Sequence, residues 1–157
     1  MNAWILIAMI ALQPRAAWRE SYAETAQAIA DVAEESPLFD GATGRAKTAA
    51  LLVSLARFES NFQPGAVGDH GKSRGLFQVQ GHGTLDEPHD AARAAVAELR
   101  ASLRVCRKRP LEERLAFYAG GGPAPHDADG CPVNDDAVKK SRHRVALALW
   151  IFSKYAK

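Results

Sequence analysis

From residue 61 to residue 90 the chain abandons the helical spacing of apolar residues found on both sides of it. Six glycines fall between Gly65 and Gly83, with few periodic apolar positions among them. Such a stretch predicts a long structured loop, with a short β-hairpin around Leu76–Gln80. In a compact chain of 157 residues a loop of this length is usually a working part. The flanks must therefore supply the core, and they read as helix.

Upstream, Trp18, Tyr22, Ala26, Ile29 and Ala33 recur at helical spacing, which predicts a helix over 15–35 ended by Ser36-Pro37. Thr43 stands where an N-cap is expected for a helix over 44–60, whose stripe is Leu51, Leu52, Leu55 and Phe58. Asn61, Pro64 and Gly65 stop it. Downstream, Val96, Leu99 and Leu103 mark a helix over 90–106, and a shorter one fits 111–118. Gly120-Gly121-Gly122-Pro123 opens a second loop. Asn134 then caps a final helix over 135–155 that turns Val138, Val145, Leu149 and Phe152 inward. The expected class is α+β, mostly α-helical, as one domain over 15–157. Residues 1–14 are set apart by Pro14. Their apolar run, Trp4 to Leu12, reads either as an atypical export signal or as a helix that docks on the domain. It is too short to span a bilayer.

The net charge of +2 conceals two basic runs. One holds Arg100, Arg104, Arg107, Lys108 and Arg109, and the other Lys139, Lys140, Arg142 and Arg144. Both read first as solvated helix faces, with an anionic polymer as the second reading. No aromatic residues interleave with them as a base-stacking platform requires, so nucleic acid is not an expected partner. Cys106 and Cys131 could close a disulfide loop, which suits an oxidising compartment, or Cys106 could be a buried thiol. His126-Asp127-Ala128-Asp129-Gly130 lacks the bidentate glutamate of a calcium loop, and His82 and His89 lack zinc spacing. No metal and no cofactor is expected.

Glu59 is the candidate for chemistry. It stands at the C-terminal end of an apolar helix, where the helix dipole disfavours a carboxylate. Phe58 and Phe62 are expected to desolvate it further. A carboxyl kept protonated near neutral pH is the general acid that glycosidic bond cleavage needs.

Arg57-Phe58-Glu59-Ser60-Asn61-Phe62 is followed by Gly68-Asp69-His70-Gly71-Lys72-Ser73-Arg74-Gly75-Leu76-Phe77-Gln78-Val79. This pattern resembles the soluble-type lytic transglycosylases and the goose-type lysozymes. Their signatures are a Glu-Ser pair at a helix end and a later Ser-x-Gly-Leu-(Met/Phe)-Gln. Gly68-Asp69-x-Gly71 is similar to the goose-type branch. Phe117-Tyr118-Ala119-Gly120-Gly121 matches in part a third element, Tyr-Asn-x-Gly. The resemblance spans about residues 45–122 and implies a lysozyme-like fold.

It also implies roles. Glu59 would be the general acid and then the base. Tyr118 would orient Glu59 by a hydrogen bond. Gln78 and Ser73 would contact the sugar or its N-acetyl group, Gly75 would let the backbone approach the glycan, and Ser60 would fix the helix end or the substrate. Asp69 could position a water or simply cap its turn. Ala119 replaces the family's asparagine, and Gln80 stands where goose-type enzymes often carry a second aspartate. The one-carboxylate, 1,6-anhydro route is therefore the leading expectation, with hydrolysis of the same bond as the alternative. A non-catalytic wall-binding component of a phage tail or secretion apparatus is the third reading. The implied partner is peptidoglycan, and the implied setting is periplasmic, extracellular or virion-associated. A monomer with no membrane span is expected.

Overall fold

The computed structural model of the chain describes residues 2–80, 85–120 and 125–156. Among them it is mostly helical, with one small three-stranded antiparallel sheet. No helix is long and apolar enough to cross a membrane.

Helix α1 (Asn2–Leu12) sinks Ile5, Ala8 and Met9 into the core while Ile7 stays outside. Helix α2 begins at Tyr22 and ends at Glu35. It starts later than the spacing predicts, because residues 14–21 are committed elsewhere. The Trp18 indole donates to the Asn61 carbonyl at 2.9 Å, and the Ser21 hydroxyl to the Trp18 carbonyl at 2.8 Å. Tyr22, Ala26, Ile29 and Ala33 are all buried.

Helix α3 (Gly44–Ser60) is the central element, buried on nearly every side from Thr48 to Ala56. It contacts α1, α2 and α6. Thr43 precedes it but makes no capping bond. Its ψ of 1° is far from the extended backbone that aims an N-cap oxygen at the helix amides. At the other end Asn61 and Phe62 both take positive φ, 53° and 66°, and reverse the chain. Phe62 plunges into the core edge-on to Tyr22.

The reversed chain forms β1 (Val67–Gly68), β2 (Ser73–Arg74) and β3 (Val79–Gln80). Gly68 pairs with Ser73, and Ser73 with Gln80. The expected hairpin at Leu76–Gln80 is thus shifted: only its last two residues are strand. Leu76 and Phe77 form the buried turn between β2 and β3 instead. Gly75 and Gln78, both at positive φ, make that turn possible.

Helix α4 (Pro88–Val105) opens on a proline, which needs no amide partner in a first turn. The segment expected as one helix over 111–118 is a 3-10 turn, Leu111–Glu113, followed by a short α5, Ala116–Gly120. Helix α6 (Asp135–Tyr155) is capped as expected, the Asn134 side chain accepting from the Ala137 amide at 2.7 Å. Its phase differs from the prediction. The buried face is Ala137, Ser141, Arg144, Val145, Ala148 and Ile151, while Leu149 is 54% exposed.

Cys106 and Cys131 are bridged, closing a loop over 25 positions. Within that loop Asp127 accepts the amides of Cys131 and Asp129 and the Arg109 guanidinium. Those bonds, the Cys131 amide foremost, hold its carboxyl below its ordinary range. The acidic stretch is therefore a turn brace. Reduction, or Cys131→Ser, is expected to lower stability by about 3 kcal/mol, the loop entropy returned to the unfolded chain. Chemical denaturation with and without reductant measures it.

Candidate active site

Each wall of the site can be followed back to its sequence. Glu59 rides the last turn of α3, and the left-handed pair Asn61-Phe62 swings the following chain back across that helix end. Ser60, buried beside it, donates to the Leu76 carbonyl at 2.8 Å, with the Ala56 carbonyl at 3.1 Å as its alternative. The helix end is thereby fastened to the β2–β3 turn. Gln78 continues the same wall: its Nε2 donates to the Ala66 and Gly75 carbonyls at 3.0 and 2.9 Å. A Cβ at Gly68 would stand 2.3 Å from Gln78 Oε1, so a side chain there would displace the end of Gln78.

Helix α5 supplies Tyr118. Its hydroxyl donates to the Phe77 carbonyl at 2.7 Å, and its amide donates to Ser102 Oγ at 3.1 Å. Opposite lies α6, tied to α3 by the Ser54 hydroxyl donating to the Arg144 carbonyl at 2.7 Å. The Arg144 side chain then ion-pairs with Glu59. Both are well covered, Arg144 at 8% and Glu59 at 16% side-chain exposure.

These elements enclose a groove of about 630 Å³. Glu59, Ser73, Gln78 and Tyr118 all line it, although up to 59 positions separate them in sequence. Gln80 and Ala119, the two departures noted from the sequence, line it as well. Ser73 is buried and accepts from Gln80 Nε2 at 3.3 Å.

Ser60 takes the first of its two expected roles: it braces the helix end and does not line the groove. Other expected roles change. Gly75 is absent from the lining too. Its φ is +75°, and a Cβ there would stand 2.4 Å from the Leu85 carbonyl, so the close approach it permits is to protein backbone. Tyr118 has a single hydroxyl proton and gives it to Phe77, so it anchors the β2–β3 turn rather than donating to Glu59. Phe58, expected to help desolvate Glu59, is itself 49% exposed. The Asp69 side chain lies outside the described residues, as do His82 and the glycines after Gly120.

The electrostatics also differ from the expectation of a carboxyl surrounded by apolar groups. Arg144 favours the ionised form of Glu59 by direct contact. Tyr118 senses the same field: burial, then the Glu59 carboxylate, push its hydroxyl well above the ordinary tyrosine range. Arg144 pulls it partly back. Sequence reasoning missed Glu98 and Asp136 of the same groove, and it placed Lys140 and Arg144 only within a basic run that could flank a cleft, with no role for Arg144 toward Glu59. By residue type alone Arg144 reads with its neighbours as a solvated face. Its neighbours pair elsewhere: Arg142 with the buried Glu113, Lys140 with Asp136 at the groove, and Lys108 with Asp129. The one available clue was phase. Arg144 lies three positions after Ser141 and one before Val145, on a helix face that buries Ala148 and Ile151.

Compared with known proteins, the chain matches no family model and no curated sequence.

Proposed function

We propose that this chain is a peptidoglycan-cleaving enzyme of lysozyme-like fold, acting as a lytic transglycosylase on the β-1,4 bond between N-acetylmuramic acid and N-acetylglucosamine. One observation carries the reading: Glu59, Ser73, Gln78 and Tyr118, singled out by their motifs, share one polar groove. A concave site of this size suits a short run of sugars. Hydroxyl, amide and carboxyl groups along it match the hydrogen-bonding edges of an N-acetylated glycan.

In the proposed reaction the Glu59 carboxylic acid protonates the glycosidic oxygen as its bond to C1 breaks. The substrate's N-acetyl carbonyl shields C1 meanwhile. The Glu59 carboxylate then takes the proton of the muramic 6-hydroxyl as that oxygen bonds C1, giving a 1,6-anhydro end and restoring the acid. Ser73 and Gln80 offer hydrogen bonds to the sugar. Gln78 and Tyr118 hold the wall in shape. The disulfide accords with a periplasmic, extracellular or virion-associated setting.

Hydrolysis of the same bond is the second reading, favoured by Glu98, a second carboxylate lining the groove. Inverting and retaining hydrolases both employ such a pair. Mass spectrometry of fragments released from purified peptidoglycan is expected to find anhydro ends, lighter than reducing ends by one water. Reducing ends alone would favour hydrolysis. Absence of any released fragment, with glycan pelleting the protein, would leave a wall-binding role.

A further inference from the structure

Taking Glu59 as the proton donor just described, we infer that Arg144 is a positioning residue that holds Glu59 ionised in the empty groove and makes it a strong acid when substrate arrives. Cleavage is then fastest at acidic pH.

The geometry leaves Arg144 little else to do. Its backbone is fixed to α3 through Ser54, and its side chain is 8% exposed, so it cannot swing out to water. One guanidinium nitrogen pairs with Glu59. Nε and Nη1 are buried without a hydrogen-bond partner. A buried cation so thinly satisfied depends on the negative charge it touches, and removing that charge is costly. The pair is thus unlike the exposed ion pairs on the outer faces.

Among the described residues, the other charged groups lining the groove do not cancel this. On α6, Asp136 and Lys140 pair with each other at 2.7 Å and offset one another. On α4, Glu98 lines the groove and disfavours a second carboxylate, but Arg144 is in contact and acts at the shortest range. On α5, Tyr118 stays neutral, its hydroxyl held above its ordinary range. On α3 itself, Arg57 is engaged by Asn61. Among the described residues the charge in direct contact with Glu59 is therefore a cation, and it favours the carboxylate.

The sign follows directly. A cation lowers the pH at which Glu59 takes up its proton, so the active acid form is depleted as pH rises. The same cation stabilises the carboxylate that forms as the proton leaves, which speeds transfer. Arg144→Gln should therefore act in two opposed ways. The maximal rate falls, while the limb of the pH–rate profile that declines toward alkali moves up by about one unit or more. Arg144→Lys should largely restore the wild-type profile.

The profile is measured on peptidoglycan with wild type, Arg144→Gln and Arg144→Lys, alongside carbon-13 NMR titration of the Glu59 carboxyl. An upward-moving midpoint in Arg144→Gln supports the inference; a folded Arg144→Gln with an unmoved midpoint overturns it. Should Arg144→Gln fail to fold, the wild-type titration decides. A Glu59 midpoint below about 4.3, the unperturbed glutamate value, supports the inference, and one at or above it overturns it. A low wild-type midpoint with no fragment released at any pH would sink glycan cleavage but leave the coupling intact.

Discussion

Glu59→Gln is expected to lower turnover of peptidoglycan by about a thousandfold, within the range contributed by a positioned general acid. Glutamine matches the shape of glutamate and can still accept from Arg144 through its amide oxygen, but its amide protons are not acidic enough to transfer to a leaving group. The fold should therefore survive. Deleting one partner of a buried pair costs about 3–5 kcal/mol, because the other charge is stranded. Here the carboxyl is partly open to the groove and the substitute keeps a hydrogen bond, so the loss should lie at the low end of that range, about 3 kcal/mol. Glu59→Ala removes the acceptor as well and should destabilise markedly more. Fragment release by mass spectrometry, with thermal unfolding of both variants, tests the pair of statements. A Glu59→Gln enzyme with near wild-type turnover would refute the assignment of the proton donor. A Glu59→Ala protein as stable as the glutamine variant would refute the dependence of Arg144 on its partner.

The helices were legible where apolar spacing alone decides burial. Helix α3 was readable in extent because Leu51, Leu52 and Leu55 are buried as their spacing predicts and its stop is Asn61, although Phe58 of the same stripe is exposed and Thr43 makes no capping bond. Helix α6 was readable in extent but not in phase. Its buried face includes Ser141 and Arg144, which look solvent-facing by residue type. Ser141 is there to serve neighbours: its hydroxyl donates to the Glu112 carbonyl at 2.7 Å and accepts the Leu115 amide at 3.0 Å. Those partners lie on a segment 26–29 positions away, so no local window contains them. Leu149, the apolar residue expected inside, instead borders a small apolar groove with Leu111 and Phe152.

The same limit governs the site. Glu59, Ser73, Gln78 and Tyr118 could be singled out because they sit in ordered motifs. Their division of labour could not. Gln78 and Tyr118 each end on a main-chain carbonyl, and such contacts depend on how the β2–β3 turn folds, not on which residues compose it. Arg144 is the sharper case. An arginine among four basic residues is ordinarily solvated, and only the crossing of α6 over the end of α3 turns this one into the groove. Glu98 escaped notice for a related reason: on its own helix it is one polar residue between buried Val96 and Leu99.

Gly75→Ala is expected to destabilise the protein by about 2–5 kcal/mol, the sum of a left-handed backbone penalty and an overpacking term. For a chain of this size that corresponds to a fall of about 10 °C in Tm. The position is a junction. Its amide donates to the Ala66 carbonyl at 2.9 Å, and its carbonyl accepts Gln78 Nε2 at 2.9 Å. An added methyl would press on the Leu85 carbonyl, which belongs to backbone and cannot rotate away. Relief must come from moving the β2–β3 turn, and with it the Phe77 carbonyl that anchors Tyr118 and the Gln78 wall of the groove. Activity should therefore fall even at temperatures where the variant remains folded. Gly71 supplies the control. Its φ is +90°, yet nothing lies within 4 Å of a Cβ there, so Gly71→Ala pays only the backbone penalty. Thermal unfolding of the two variants side by side separates conformation from packing. Equal losses would mean that the close approach to Leu85 contributes nothing, and that the turn is shaped by backbone preference alone.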